Sequence, residues 1–190
     1  MGISRFWWGM TLGAMAVAVA ILFAMDRPPI CTCGSIRLWE GTVNGPGNSQ
    51  HLSDWYSFSH ITHGFLFFAA GYWLLRTRPL GARLWIATIV EMLWEVAENS
   101  PIIIERYRAA TLAVGYAGDS ILNSASDGAM MIAGFLFASR FGWKATLALG
   151  IVFELFTLVV IRDNLTLNIV MLISPVDAIR DWQAGFSQPL

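Results

Sequence analysis

Five long apolar runs dominate the chain, at about 7–24, 56–75, 80–98, 119–139 and 143–161. Each approaches the roughly 20 residues that a helix needs to cross a bilayer. The first carries no charge and only Thr11 as a polar side chain. The second has two histidines near its start, the third three glutamates in its second half, and the fifth Glu154. A weaker run at 165–173 is too short to span and is expected to lie in the interface. Tryptophans 7, 8, 55, 73, 85 and 143 fall near the run ends, as an interfacial aromatic belt requires. The pattern predicts an all-α fold: one polytopic helical membrane domain over 1–190, with about five transmembrane helices. Its long connections are 25–55 and 99–118, and 162–190 forms an interfacial tail. The first run is read as a span rather than a signal peptide. It exceeds an h-region of about 7–15 residues, and no A-x-A site follows it.

Composition agrees with this pattern. The 190 residues are 56% hydrophobic and 13% charged, against about 25% charged in an average soluble domain. So apolar a chain is not disordered, and two cysteines are too few for a disulfide framework. The formal charge of -1 leaves no basic excess to hold nucleic acid.

Charge placement sets an orientation. Arg5, Arg76, Arg78 and Arg140 lie in the short breaks before run one, between runs two and three, and between runs four and five, and Arg83 and Lys144 lie just inside the runs that follow them. Those breaks contain no acidic residue. By the positive-inside rule they are cytoplasmic. The N-terminus is then inside, the C-terminus outside, and the protein a multi-pass inner-membrane one.

This topology gathers the unusual residues at one depth. His60 and His63 open run two. Glu91, Glu95 and Glu98 lie at i, i+4, i+7 in run three, followed by Asn99. Asp119, Asn123 and Asp127 lie at i, i+4, i+8 in run four. Each set shares a helical face. Ionisable groups within a membrane usually face a bundle interior or wet cavity, so an outward-facing His/Glu/Asp pocket is expected. His60, Glu95, Glu98, Asp119 and Asp127 are the candidate catalytic residues. Two chemistries suit them. Crowded carboxylates drive their proton affinities apart, giving an acid and a base. Alternatively, histidines with carboxylates ligate a divalent metal, for which His60, His63 and Glu98 are the candidates. Arg106 and Arg108, with Asn99 and Asn123, are candidates for holding an anionic lipid or envelope precursor. The competing expectation is an ion pair of either arginine with Glu98 or Asp119. Asp119 and Ser120 also suit the cap of the fourth helix. Cys31 and Cys33 are open to a local disulfide, pairing between chains, or a soft metal such as Cu(I). Gly45-Pro-Gly47-Asn48 is a turn rather than a phosphate loop, and the chain has no nucleophile elbow.

Three functions remain: an enzyme or binder of an anionic envelope substrate, an ion-coupled carrier, and a non-catalytic accessory or assembly protein whose polar residues form a packing network. The carrier is disfavoured because the inner halves of the runs are almost wholly apolar.

The segments Cys31-Thr-Cys-Gly34, Ser49-Gln-His51, Ser53-Asp-Trp-Tyr56, Ser59-His-x-x-His-Gly64, Trp94-Glu-Val-Ala-Glu-Asn-Ser-Pro101, Arg106-Tyr-Arg108 and Gly118-Asp-Ser-Ile-Leu-Asn123 resemble uncharacterised protein family 0314. These are multi-pass inner-membrane proteins of proteobacteria. The resemblance covers nearly the whole chain and implies an integral inner-membrane protein, without transferring a reaction. Asp119-x-x-x-Asn123 and Asp127-Gly128 more faintly resemble VanZ-like membrane proteins, which lack the two cysteines.

Overall fold

A computed structural model describes residues 2–111 and 115–185. Among them are seven helices and no strand: α1 (Arg5–Ala24), α2 (Ser57–Leu74), α3 (Leu80–Glu98), α4 (Pro101–Ala110), α5 (Ile121–Ile161), α6 (Leu165–Ile173) and α7 (Asp177–Ala184). By length and composition, α1 and α5 are each able to cross a membrane.

The fourth and fifth apolar runs were expected as two helices joined by a loop at 140–144. They form one element broken at a single residue, Gly142, whose φ of 77° and ψ of 168° are not helical. Glycine is required because a Cβ disfavours positive φ. Phe65 of α2 packs against both Phe137 and Phe153. The limbs 121–141 and 143–161 therefore fold back on each other as a hairpin, with α2 lying along both.

The packing sorts the helix ends into two groups. At one end, Trp7 of α1 lies against Gly81 and Trp85 of α3, and Gly71 of α2 approaches Arg83. At the other, Arg27 after α1 and Asn99 after α3 both reach Asp119, just before α5. The start of α2 meets the first limb there through Ser57 and Asp127. Leu84, Ala87, Met131, Ile132 and Phe135 form the core between these ends. Two glycines bring α2 and the first limb into backbone contact. A Cβ built on Gly64 would lie 2.1 Å from the Met131 carbonyl oxygen, and one on Gly134 would lie 2.1 Å from that of Ile61. Small residues at a crossing let two helix backbones approach this closely.

The connection 25–55 has no regular secondary structure but a definite task. A helix starting inside a protein leaves its first N–H groups without intrahelical partners. At the start of α5, Ile121 N–H donates to Pro28 O (2.8 Å) and Leu122 N–H to Pro29 O (3.1 Å). Asn123 N–H donates to the Ser120 hydroxyl at 3.1 Å. Ser120 is thus the cap, and Asp119 is free for other contacts. Cys31 and Cys33 of this segment are joined to each other, with Cα atoms 5.1 Å apart. That selects the local disulfide from the open pairings.

The expected loop 99–118 contains α4. Ser100 caps it and Pro101 occupies its first turn, a combination in which Pro loses no helical hydrogen bond. The run 165–173 is helical. Glu154 closes its amino end, accepting from Leu165 N–H and Thr166 N–H, each at 3.1 Å. Glu154 thus has a structural partner set of its own, outside the His/Glu cluster.

Candidate functional site

Asp54 organises the entry to α2. Its carboxylate accepts from Ser49 N–H (2.9 Å) and Tyr56 N–H (2.8 Å), and its own N–H donates to Ser57 Oγ. Burial pushes the Asp54 carboxyl up from its ordinary range, against the pull of these N–H groups. Three residues into the helix, His60 turns inward.

His60 Nδ1 lies 2.6 Å from Glu91 Oε1, and His63 Nδ1 lies 3.0 Å from Glu91 Oε2. One buried carboxylate thus orients both imidazoles through the same ring nitrogen. The short contact assigns the His60 Nδ1 proton to Glu91, leaving Nε2 unprotonated in the neutral ring. That Nε2 is 3.8 Å from Asp127 Oδ2, too long for a hydrogen bond. It is within the span of two ligands on one cation with bonds of about 2.0–2.2 Å. Glu95 completes the cluster. It is 1% exposed, and neither of its oxygens has a hydrogen bond. Its contact to His60 Nδ1 is 3.5 Å, on the side already taken by Glu91.

Three sets of side chains bring potential ligand atoms within 4.8 Å of one another around this point: His60/His63/Glu91, His60/Glu95/Asp127 and Glu95/Glu98/Asp119. The expected trio of His60, His63 and Glu98 is not among them. Glu91, two turns earlier on α3, stands beside the histidines instead. Glu98 lies farther along the helix, against Tyr107 and Asp119.

The cluster borders a cavity of about 390 Å³. His60, His63, Glu91, Glu98, Asp119 and Asp127 contribute to its polar wall, and Leu66, Phe67, Val90, Trp94, Ile169 and Leu172 to its apolar one. No arginine or lysine lines it among the described residues. Arg106 donates to the Leu172 and Ile173 carbonyls at the end of α6, and Arg108 to the Tyr116 carbonyl. Both therefore satisfy backbone acceptors; the expected pairing with Glu98 or Asp119 is not formed. The cause is α4, which turns these side chains toward its neighbours.

The candidate asparagines are also engaged. The Asn99 amide donates to Asp119 Oδ2 (2.9 Å) and accepts from Asp119 N–H (2.7 Å). Asn123 lines the cavity but donates to His51 O at 2.9 Å. Tyr56, Tyr107, Tyr116 and Asp163 line the cavity as well and were not singled out in the sequence. Tyr107 carried a signal as the centre of Arg106-Tyr-Arg108, and Tyr56 as the end of Ser53-Asp-Trp-Tyr56.

Asp163 accepts from Tyr56 OH at 3.1 Å. Burial pushes its carboxyl up to about 6, despite the Asn164 N–H and the tyrosine. The folded state therefore holds this proton more tightly than the unfolded chain, whose ordinary value is 3.8. Stability contributed here falls as pH rises from about 4 to about 6, by about 3 kcal/mol in all. In thermal unfolding of detergent-solubilised protein, Asp163→Asn is expected to shrink the difference between pH 5 and pH 7.5. Identical pH dependence in both proteins refutes the assignment.

Sequence comparison joins this geometry to a family. A family profile described as "Protein of unknown function (DUF2585)" matches residues 22–185. A UPF0314 protein of Sphingopyxis alaskensis is 58% identical over 184 residues, covering 97% of this chain and 98% of its own. One of Rhizobium etli is 56% identical over 180 residues, covering 95% and 92%. One of Novosphingobium aromaticivorans is 55% identical over 185 residues, covering 93% of each. No solved structure matches the chain. The matches establish the 0314 family, not a VanZ-like one. With identity above one half along nearly its whole length, the chain belongs to the UPF0314 family.

Proposed function

We propose that this is a multi-pass inner-membrane protein whose cavity holds a divalent cation and, through it, an anionic envelope substrate. Five crossings are assigned: α1, α2, α3 and the two limbs of α5. The alternating helix ends support this, with Arg5, Arg76, Arg78, Arg83, Arg140 and Lys144 toward the cytoplasm and the cavity toward the outside. The cavity then lies at the outer membrane-water boundary.

The observation that carries the cation is Glu95. A buried carboxylate without a hydrogen bond is costly, and a cation shared with His60 and Asp127 offsets that cost. Glu91 plays the supporting part that carboxylates commonly play behind ligating histidines. Because Arg106 and Arg108 are engaged elsewhere, the cation supplies the positive charge that an anionic substrate needs. The chemistry such a centre offers is hydrolysis, in which the cation polarises a phosphoryl or acyl oxygen and acidifies a bound water.

The second reading, an accessory protein with a packing network, draws support from Asn99, Asp119 and Asn123, whose polar atoms bond within the protein. Metal content separates the two. Full-length protein, purified in detergent, loaded with zinc or manganese and dialysed, is expected to retain about one ion per chain. Glu95→Gln is expected to retain at least tenfold less. Folded wild-type protein that stays metal-free after loading, and co-purifies with a larger complex, decides for the packing reading.

A further inference from the structure

The apolar wall of the cavity reaches the outside of the bundle. Leu66 on α2 and Val90 on α3 both line the cavity, yet they are 53% and 46% exposed. Phe67 and Trp94 stand beside them on the same two helices and line the same space. Helices α2 and α3 thus leave a gap between them along the cavity, although His63 and Glu91 join them at one level.

Depth decides what can fill that gap. With about 1.5 Å of rise per residue, Leu66 lies about 9 Å beyond His60 and about 13 Å beyond the start of α2 at Ser57. In a bilayer with a hydrocarbon core about 30 Å thick, that is near mid-depth. Water is excluded there, and the surrounding solvent is acyl chain. The cavity wall is mixed: on α3 Val90 adjoins Glu91 and Trp94 lies between Glu91 and Glu98, while on α2 Leu66 lies deeper than His60 and His63.

We infer that the gap between α2 and α3 is a lateral portal for an acyl-chain phospholipid, whose chain lies along Leu66 and Val90 while its phosphate faces the His60/Glu95 cluster. This rests on the cation centre proposed above. The carboxylate-rich polar wall, without arginine or lysine among the described residues, repels a bare phosphate and admits one only through a cation. A water-soluble anion would use the polar wall alone, leaving the apolar wall and its opening to lipid without a role. The inference narrows the substrate from an anionic envelope molecule to a lipid drawn from the bilayer plane.

The test uses full-length protein reconstituted in phosphatidylcholine vesicles containing phosphatidic acid with a diazirine in one acyl chain. After irradiation, cross-links are mapped by peptide mass spectrometry. Enrichment of at least fivefold is expected on Leu66, Phe67, Val90 and Trp94 over the lipid-facing Leu155 and Val159. Unlabelled phosphatidic acid, but not diacylglycerol, competes it away. Leu66→Trp combined with Val90→Trp, which narrows the gap, is expected to abolish the enrichment while metal content stays at the wild-type level. Even labelling around the bundle, or equal competition by diacylglycerol, overturns the portal. Because metal is measured on the same samples, wild-type protein that holds metal but shows no enrichment sinks the lipid inference alone. Metal absent from the wild type sinks the cation centre itself.

Discussion

Gly134→Ala is expected to abolish the folded protein. The added Cβ would sit 2.1 Å from the Ile61 carbonyl oxygen, with two further Ile61 backbone atoms within 3.1 Å. No rotamer can relieve a clash between backbone and Cβ, so the helices must separate. Overpacking a well-fitted contact costs about 1–3 kcal/mol and sometimes more, and a backbone clash belongs at or above the upper end. Gly64→Ala attacks the same crossing from α2, where the Cβ would meet Met131 O at 2.1 Å. The crossing also sets the position of His60 opposite Asp127, so a variant that survives should lose the site's geometry. Gly13→Ala is the control, since nothing lies within 4 Å of its Cβ. Fluorescence-detected size exclusion in detergent should show a monodisperse wild type and Gly13→Ala, and an aggregated or absent Gly134→Ala. A monodisperse Gly134→Ala of wild-type thermal stability contradicts the close crossing.

His60→Ala is the second large effect. His60 belongs to two of the three ligand sets, whereas His63 belongs to one. It also contacts carboxylates on two helices, Glu91 and Glu95 on α3 and Asp127 on α5. Removing it takes away a ligand and leaves the surrounding carboxylates without the imidazole between them. Loss of a supporting residue typically costs 10–100-fold in metal affinity, so loss of this ligand should exceed about 100-fold. His63→Ala should cost less, because His60, Glu95 and Asp127 remain. Competition against a chromophoric chelator measures both. Equal affinities for the two variants would remove His60 from the centre.

The helical layout could be read from the sequence because apolar runs are long and their breaks are sharp. The Gly142 hairpin could not. A single residue at φ 77° reverses the chain where a loop was expected, and the surrounding aromatic run gives no sign of it. The helix α4 was signalled by Ser100-Pro101, a start signature obscured by the arginines and glutamate that follow. At the site, helical spacing alone placed the His60 and Asp127 faces correctly. It could not rank Glu91 against Glu98, which lie seven residues apart on one face. Their difference is depth along the helix, and depth is set by where α2 crosses α3. The backbone partners of Arg106 and Arg108 were hidden for a related reason. A guanidinium in a loop suggests an anion, but one on a short helix beside the end of α6 finds carbonyl oxygens first. The partners of 25–55 were invisible too, since the loop contributes mainly backbone carbonyls to the start of α5.

The most direct measurement is an anomalous difference map from crystals of the full chain grown with manganese or zinc, recorded on both sides of the absorption edge. A cation centre built on Glu95 predicts a single strong peak within about 2.0–2.3 Å of a Glu95 oxygen, a His60 ring nitrogen and an Asp127 oxygen. A map without a peak there, in which the Glu95 carboxylate is hydrogen-bonded to protein or water, would contradict it.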